Sequence, residues 1–205
     1  MEVIKPKYII ETELDEDDIL AKLERYGRTA YKSEDRVTKG SAEKLVRGLI
    51  KSGHESVIEH ESITVRFICD RGVTHELVRH RLASYTQEST RYVNYAKRGI
   101  QTIKPCFWHE DDTKYKLWKQ AMEDAEKNYT TLVAQGATPQ EARAVLPHST
   151  KTEICVTMNI REWRHVLKLR TAKSVHPQVR ELMLPLLDEF KTGLPSLFGD
   201  IEVDV

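Results

Sequence analysis

The chain has 205 residues, with 32 Lys plus Arg against 32 Asp plus Glu, so its formal net charge is zero. That length accommodates one domain with a substantial core, residues 1–205 taken together. The charge balance argues against a protein whose main business is coating nucleic acid, since such domains carry a basic surplus.

In chain order, the N-terminal run "MEVIKPKYIIETELDEDD" contains no apolar stretch long enough for a signal peptide or a membrane span, and none later reaches that length. A cytoplasmic protein with no membrane partner is therefore expected. "IETELDEDDILAKLERYGR" reads as an extended lead-in followed by a helix, with acidic residues favouring the helix N-terminus. "GSAEKLVRGLIKSGH" places Ala42, Leu45, Val46, Leu49 and Ile50 at helical spacing, with Gly53 as its stop. "ESITVRFIC" alternates, putting Ile63, Val65 and Phe67 on one face of a strand. "GVTHELVRHRLAS" returns to helix, and the string after it is too polar and too short for a core element.

Thr113 to Gln135 reads as a long amphipathic helix packing through Leu117, Ala121, Ala125 and Leu132. "ATPQEARAVLP" is a short helix capped by Thr138 with Pro139 in its first turn. "KTEICVTMN" is a second strand; "REWRHVLKLR" and "PQVRELMLPLLDEF" are helices, the latter kinked at Pro185. Few strands among many helices predict an α+β fold, a single domain with a mostly antiparallel sheet packed by several helices. Neither GxGxxG nor GxxxxGK[ST] occurs.

Four groups of residues carry possible chemistry. Arg79-His80-Arg81 taken alone is a solvated cation run at a helix end. Ser84, Tyr85, Thr86, Gln87, Ser89 and Thr90 follow it, however, and Arg91 closes the segment. Guanidinium forks with hydroxyls and backbone amides are what a phosphate monoester requires. "GHESVIEH" offers His54, His60, Glu55 and Glu59, but in no standard zinc spacing, so no metal is expected. A satisfied histidine pair at a helix-to-strand turn and a polar contact to a cofactor both remain open there. "NIREWRHVLKLR" brings Arg161, His165 and Lys168 near one helical face, with Asn159 placed as N-cap; a surface helix accounts for Arg164 and Lys168. Cys106, in "KPCFWH", has no assigned base and reads as a buried inert thiol. With Cys69 and Cys155 it makes an odd, widely spaced set, which argues against a disulfide framework.

Arg79-His80-Arg81, seven residues, then Ser89 resembles the RHRx7S signature of the flavin-dependent thymidylate synthases. "GHESVIEH", "EARAVLP" and "TMNIREWRHVLKLR" are similar to further family segments, in the family's order over residues 28 to 180. The resemblance implies methylation of dUMP to dTMP, with 5,10-methylenetetrahydrofolate as carbon donor and FAD, recharged by NADPH, as reductant. It also implies a homotetramer whose active sites are shared between subunits. Ser56, Arg79, His80, Arg81, Gln87, Asn159, Arg161 and His165 then resemble flavin contacts. Glu76, Leu77, Val78 and Arg79, Gln87, Glu88, Ser89, Thr90 and Arg91, and Arg143 resemble dUMP contacts. Arg170 matches the arginine that stabilises the ionised N3 edge of the uracil. Glu76 stands where the family often has glutamine, and Gln87 where it often has glutamate. "TAKSVHPQ" aligns loosely, leaving Ser174 and His176 as alternatives for one flavin contact. Two rival readings are an RNA-binding module using residues 79–91, and a flavoprotein of the same fold with another acceptor. The cysteine-dependent thymidylate synthases, longer and of another fold, rank well below the flavin-dependent family.

Overall fold

A computed structural model describes residues 1–203. The chain opens with two short strands, β1 (Glu2–Ile4) and β2 (Lys7–Ile10), and then helix α1 (Glu16–Thr29). Asp15 caps α1 by accepting from the Asp18 amide at 3.0 Å, and Glu16, Asp17 and Asp18 complement the positive end of its dipole. Helix α2 (Ser41–Lys51) follows, and Gly53 takes a left-handed conformation (φ 71°) just beyond its end. A 3-10 turn over Glu55–His60 leads into β3 (Ser62–Asp70) and α3 (Arg71–Leu77).

Helix α3 is shorter than its sequence predicts. It ends at Leu77, so Arg79-His80-Arg81 lies in the turn beyond it. The polar string then forms a strand, β4 (Ala83–Gln87), contrary to the expectation that it is too polar for a core element. Tyr85 explains both departures. Its hydroxyl lies within hydrogen-bonding distance of the Leu77 (2.7 Å) and His80 (2.6 Å) carbonyls, so its one proton ties the turn that ends the helix to the strand that follows.

The remaining elements are α4 (Tyr95–Arg98), β5 (Gln101–Ile103), α5 (Thr113–Ala134), α6 (Pro139–Ala142), β6 (Lys151–Asn159), α7 (Ile160–Arg170), α8 (Pro177–Gly193) and α9 (Pro195–Phe198). Helix α8 continues through Pro185. Strands β2-β3-β6-β4 form an antiparallel sheet in that order, while β1 and β5 pair in parallel. The fold is α+β, as the sequence predicts.

Alternation along β3 and β6 decides which face is buried. Ile63, Val65 and Phe67 register against Met158, Val156 and Ile154, all buried. Trp163 of α7 packs on that face and donates its indole N–H to the Ile63 carbonyl at 2.9 Å. Val179, Leu182, Met183, Leu186, Leu187 and Phe190 of α8 complete the main core. The opposite face is polar: Thr64 and Thr157 share a 2.8 Å hydrogen bond, and Ser84 and Thr86 are exposed.

A second cluster joins Tyr95, Ile100, Tyr129 and Ala142. It docks α5 and α6 against the segment after β4. Helix α5 packs through Tyr115, Met122 and Tyr129, not through Leu117, which is exposed; the buried stripe is rotated from the predicted one. Arg164 also departs from expectation. It is 2% exposed, with a bidentate pair to Asp200 (2.7 Å for both bonds) and a bond to the Leu197 carbonyl. Asp200 lies 36 residues downstream, so no local pattern announces the burial.

Candidate active site

Asn159 ends β6 and caps α7, accepting from the Glu162 amide at 2.9 Å. That junction fixes the helix, whose last residue is Arg170. Its guanidinium reaches the end of α3 and is held on three sides. Nε donates to His80 Nε2 (2.9 Å), Nη1 to Glu76 Oε2 (2.8 Å) and Nη2 to the Glu76 carbonyl (3.0 Å). A guanidinium carries five N–H donors, so two remain for a ligand. Glu76, where the related family often has glutamine, thus acts as Arg170's ion-pair partner.

His80 is buried, and burial, then the neighbouring Arg170 and His165, push its pKa down to about 4. The ring is therefore neutral at pH 7. Its Nδ1 lies 3.8 Å from Glu162 Oε1, and its ring stands edge-on to His165 at 6.0 Å between centroids. Burial, then the Glu162 carboxylate, raise the Tyr85 phenol to about 12, so its hydroxyl stays a donor.

Asn159, Arg161 and His165, predicted as one group, do line one cleft of roughly 450 Å³, with Glu55, Glu59, Leu82 and Lys168. Arg161 pairs there with Glu59 at 2.5 Å. Ser56 is exposed on the 3-10 turn beside this cleft, between Glu55 and Glu59. Arg79 and Arg81 are exposed and pair with no carboxylate among the described residues.

The rest of the predicted set collects beyond the other end of β4. Gln87 donates to the Thr74 hydroxyl at 3.0 Å. Ser89 Oγ accepts from the Arg91 amide (3.2 Å), Arg91 Nε donates to Gln140 Oε1 (3.2 Å), and Arg143 reaches the Thr90 hydroxyl (3.5 Å). Two guanidinium groups and two hydroxyls meet in one corner with the donors an anion would need, assembled because the second core cluster seats α6 against this segment. Five residues of β4 separate the corner from the Arg79-His80-Arg81 turn, about 17 Å at roughly 3.4 Å per residue. The structure thus does not gather the predicted residues into one pocket of one chain. Leu77 is fully buried and offers no side chain to a ligand, while Val78 is exposed.

A second cleft, roughly 540 Å³, adjoins Gln87 and Glu88 and includes Tyr95, Arg98 and Lys151. Lys151 sits between Glu153 (2.6 Å) and Glu88 (3.0 Å). Burial opposes its charge, but the two carboxylates hold its pKa above the ordinary lysine range. Gln87 and Glu88 are among the predicted site residues, whereas Tyr95, Arg98 and Lys151 are not; the alternation of β6 marks Lys151 only as a strand residue.

Cys106 is exposed, correcting the expected burial; partial desolvation and then Glu181 nonetheless raise its pKa, so it is a protonated thiol at neutral pH. Among the described residues no group of three or more His, Cys, Asp or Glu could hold a metal ion, and no helix is long and apolar enough to cross a membrane.

This arrangement sits in a chain whose relatives are identifiable. The chain belongs to the family described as thymidylate synthase complementing protein, which matches residues 12–196. A flavin-dependent thymidylate synthase from Pyrococcus furiosus is 34% identical over 167 residues, covering 80% of this chain and 68% of that protein. One from Mycolicibacterium vanbaalenii is 34% identical over 209 residues, covering 93% and 83%. The match to a relative from Pyrococcus abyssi, 37% identical, spans 57% of that protein's length. The fold is shared with a UMP/dUMP methylase, PolB of Streptomyces cacaoi, solved with 5-Br dUMP. That likeness has a TM-score of 0.79 at 24% identity, over 97% of this chain and 96% of the other.

Proposed function

We propose that this chain is a flavin-dependent thymidylate synthase, methylating dUMP to dTMP with 5,10-methylenetetrahydrofolate as carbon donor, FAD as redox cofactor and NADPH as its reductant. The observation that carries the reading is Arg170, fixed by Glu76 and His80 with two N–H groups to spare. The uracil ring must become electron-rich at C5 to attack the methylene carbon. A guanidinium placed at the N3–O4 edge stabilises the charge that develops there and stays protonated throughout. Arg91, Arg143 and the Ser89 and Thr90 hydroxyls supply the donors for the nucleotide phosphate. Ser89 Oγ already accepts one hydrogen bond, leaving its proton to donate.

The cleft at the start of α7 is the proposed flavin site: Arg161, His165 and Lys168 line it, and the exposed Arg79 and Arg81 pair with no carboxylate among the described residues. Bound there and reduced by NADPH, the flavin would supply the hydride that takes the transferred carbon to a methyl group. Ser56, Gln87 and Asn159 complete the proposed flavin contacts, and Glu76, Val78 and Glu88 the dUMP contacts. The chain acts as one domain of a cytoplasmic homotetramer. The split between corner and cleft supports this, because sharing a site between chains unites what β4 keeps apart.

The RNA-binding reading is not supported, since the chain belongs to an enzyme family and Arg161 and Arg170 are paired with Glu59 and Glu76. The test is the visible spectrum of the purified protein, followed by dUMP titration and turnover. A flavin spectrum that shifts with dUMP, and dTMP formed from all components, is expected. A colourless protein that takes up no added FAD, or a flavoprotein that makes no dTMP, overturns the reading.

A further inference from the structure

We infer that His80 is a positioning residue whose Nε2 lone pair aims the Arg170 guanidinium. This rests on the function proposed above and assigns the central histidine of Arg79-His80-Arg81 a role that the resemblance does not.

Three of the four polar groups of His80 are hydrogen-bonded inside the chain, and the fourth, Nδ1, faces a carboxylate. Its amide donates to the Leu77 carbonyl (3.1 Å), and its carbonyl accepts from the Tyr85 hydroxyl (2.6 Å). Nε2 accepts from Arg170 Nε at 2.9 Å, and Nδ1 faces the Glu162 carboxylate at 3.8 Å. The residue is 7% exposed, whereas Arg79 and Arg81 on either side are open to solvent. A nitrogen that accepts from a guanidinium N–H carries no proton, so the ring is the neutral Nδ1–H tautomer. Glu162 favours that tautomer, since its negative charge faces the N–H. Glu162 is itself pinned, because its amide is the one that Asn159 caps.

The consequence falls on Arg170. Glu76 holds only the two terminal nitrogens of the guanidinium, so its fork could pivot; the imidazole engages Nε and fixes the remaining direction. Glutamine, whose side-chain carbonyl can reach where Nε2 lies, can replace this acceptor, whereas leucine, of similar bulk, cannot.

Two measurements test this. In protein labelled with 15N-histidine, His80 should show a protonated Nδ1 and an unprotonated Nε2 at pH 7; an Nε2–H tautomer or an imidazolium overturns the inference. In kinetics, His80→Leu should keep its FAD and its dUMP affinity while kcat falls about 100-fold, the scale of a misplaced catalytic group. His80→Gln should recover at least roughly tenfold of that loss. Parallel loss of FAD from both variants, or an unchanged kcat in His80→Leu, overturns it. Should His80→Leu fail to fold, the tautomer in the unaltered protein decides. Should that protein make no dTMP, the proposed function fails, while the tautomer still decides how His80 and Arg170 are joined.

Discussion

Replacing Arg170 by lysine separates charge from geometry. Lysine keeps a cation at the end of α7 and can still meet Glu76 Oε2. It loses the Nε bond to His80 (2.9 Å) and the Nη2 bond to the Glu76 carbonyl (3.0 Å). Hydrogen bonds with a charged partner contribute about 1.5–3 kcal/mol when well shielded. Arg170 is 14% exposed, so each is worth about 1–2 kcal/mol here and the pair about 2–4 kcal/mol. Felt in the transition state, that lowers kcat roughly 30- to 1,000-fold at 1.36 kcal/mol per decade. The assay is single-turnover dTMP formation at saturating dUMP and folate, with FAD content and a thermal melt as controls. A folded, flavin-loaded Arg170→Lys enzyme within about threefold of the parent rate would show that charge alone suffices and refute the role of the fork.

Arg91→Ala removes one guanidinium from the anion corner and should weaken dUMP binding by about 1.5–3 kcal/mol, measured by calorimetry; unchanged affinity contradicts its placement. Asp200→Asn withdraws the charge facing the buried Arg164 and should cost about 2 kcal/mol in denaturant melts at pH 7, less than for a deeply buried pair because Asp200 is 51% exposed. The Arg164 hydrogen bond holds the Asp200 carboxyl below the usual range, so the parent's advantage is present above the unfolded carboxylate pKa near 3.9 and fades as pH falls through the lower folded value. An advantage that instead grows towards acid pH would rule out that linkage.

What was legible in the sequence depended on how each residue's environment is built. Strands β3 and β6 have one apolar and one polar face, and strict alternation revealed them. Strand β4 sits at a sheet edge and faces inward with Ala83, Tyr85 and Gln87, of which only Tyr85 is strongly apolar; its pattern resembles a polar loop. The stripe of α5 was misplaced because its aromatic residues, Tyr115 and Tyr129, carry the packing that aliphatic spacing assigned to Leu117. At the site, motif order brought out Arg170, Arg91 and Arg143. The bracket around Arg170 spans separations of 90 and 94 residues, and Lys151 meets Glu88 across 63. Such contacts are products of tertiary folding, with no local spacing to betray them.

The division of labour along β4 has a genetic corollary. In the proposed homotetramer, with the corner of one chain working with the guanidinium of another, a lesion in Arg143 and a lesion in Arg170 would spoil different halves of each site. Mixed oligomers of two individually dead proteins would contain some sites assembled entirely from sound halves. Two null alleles of this gene, each recessive alone, could then complement one another in a single cell.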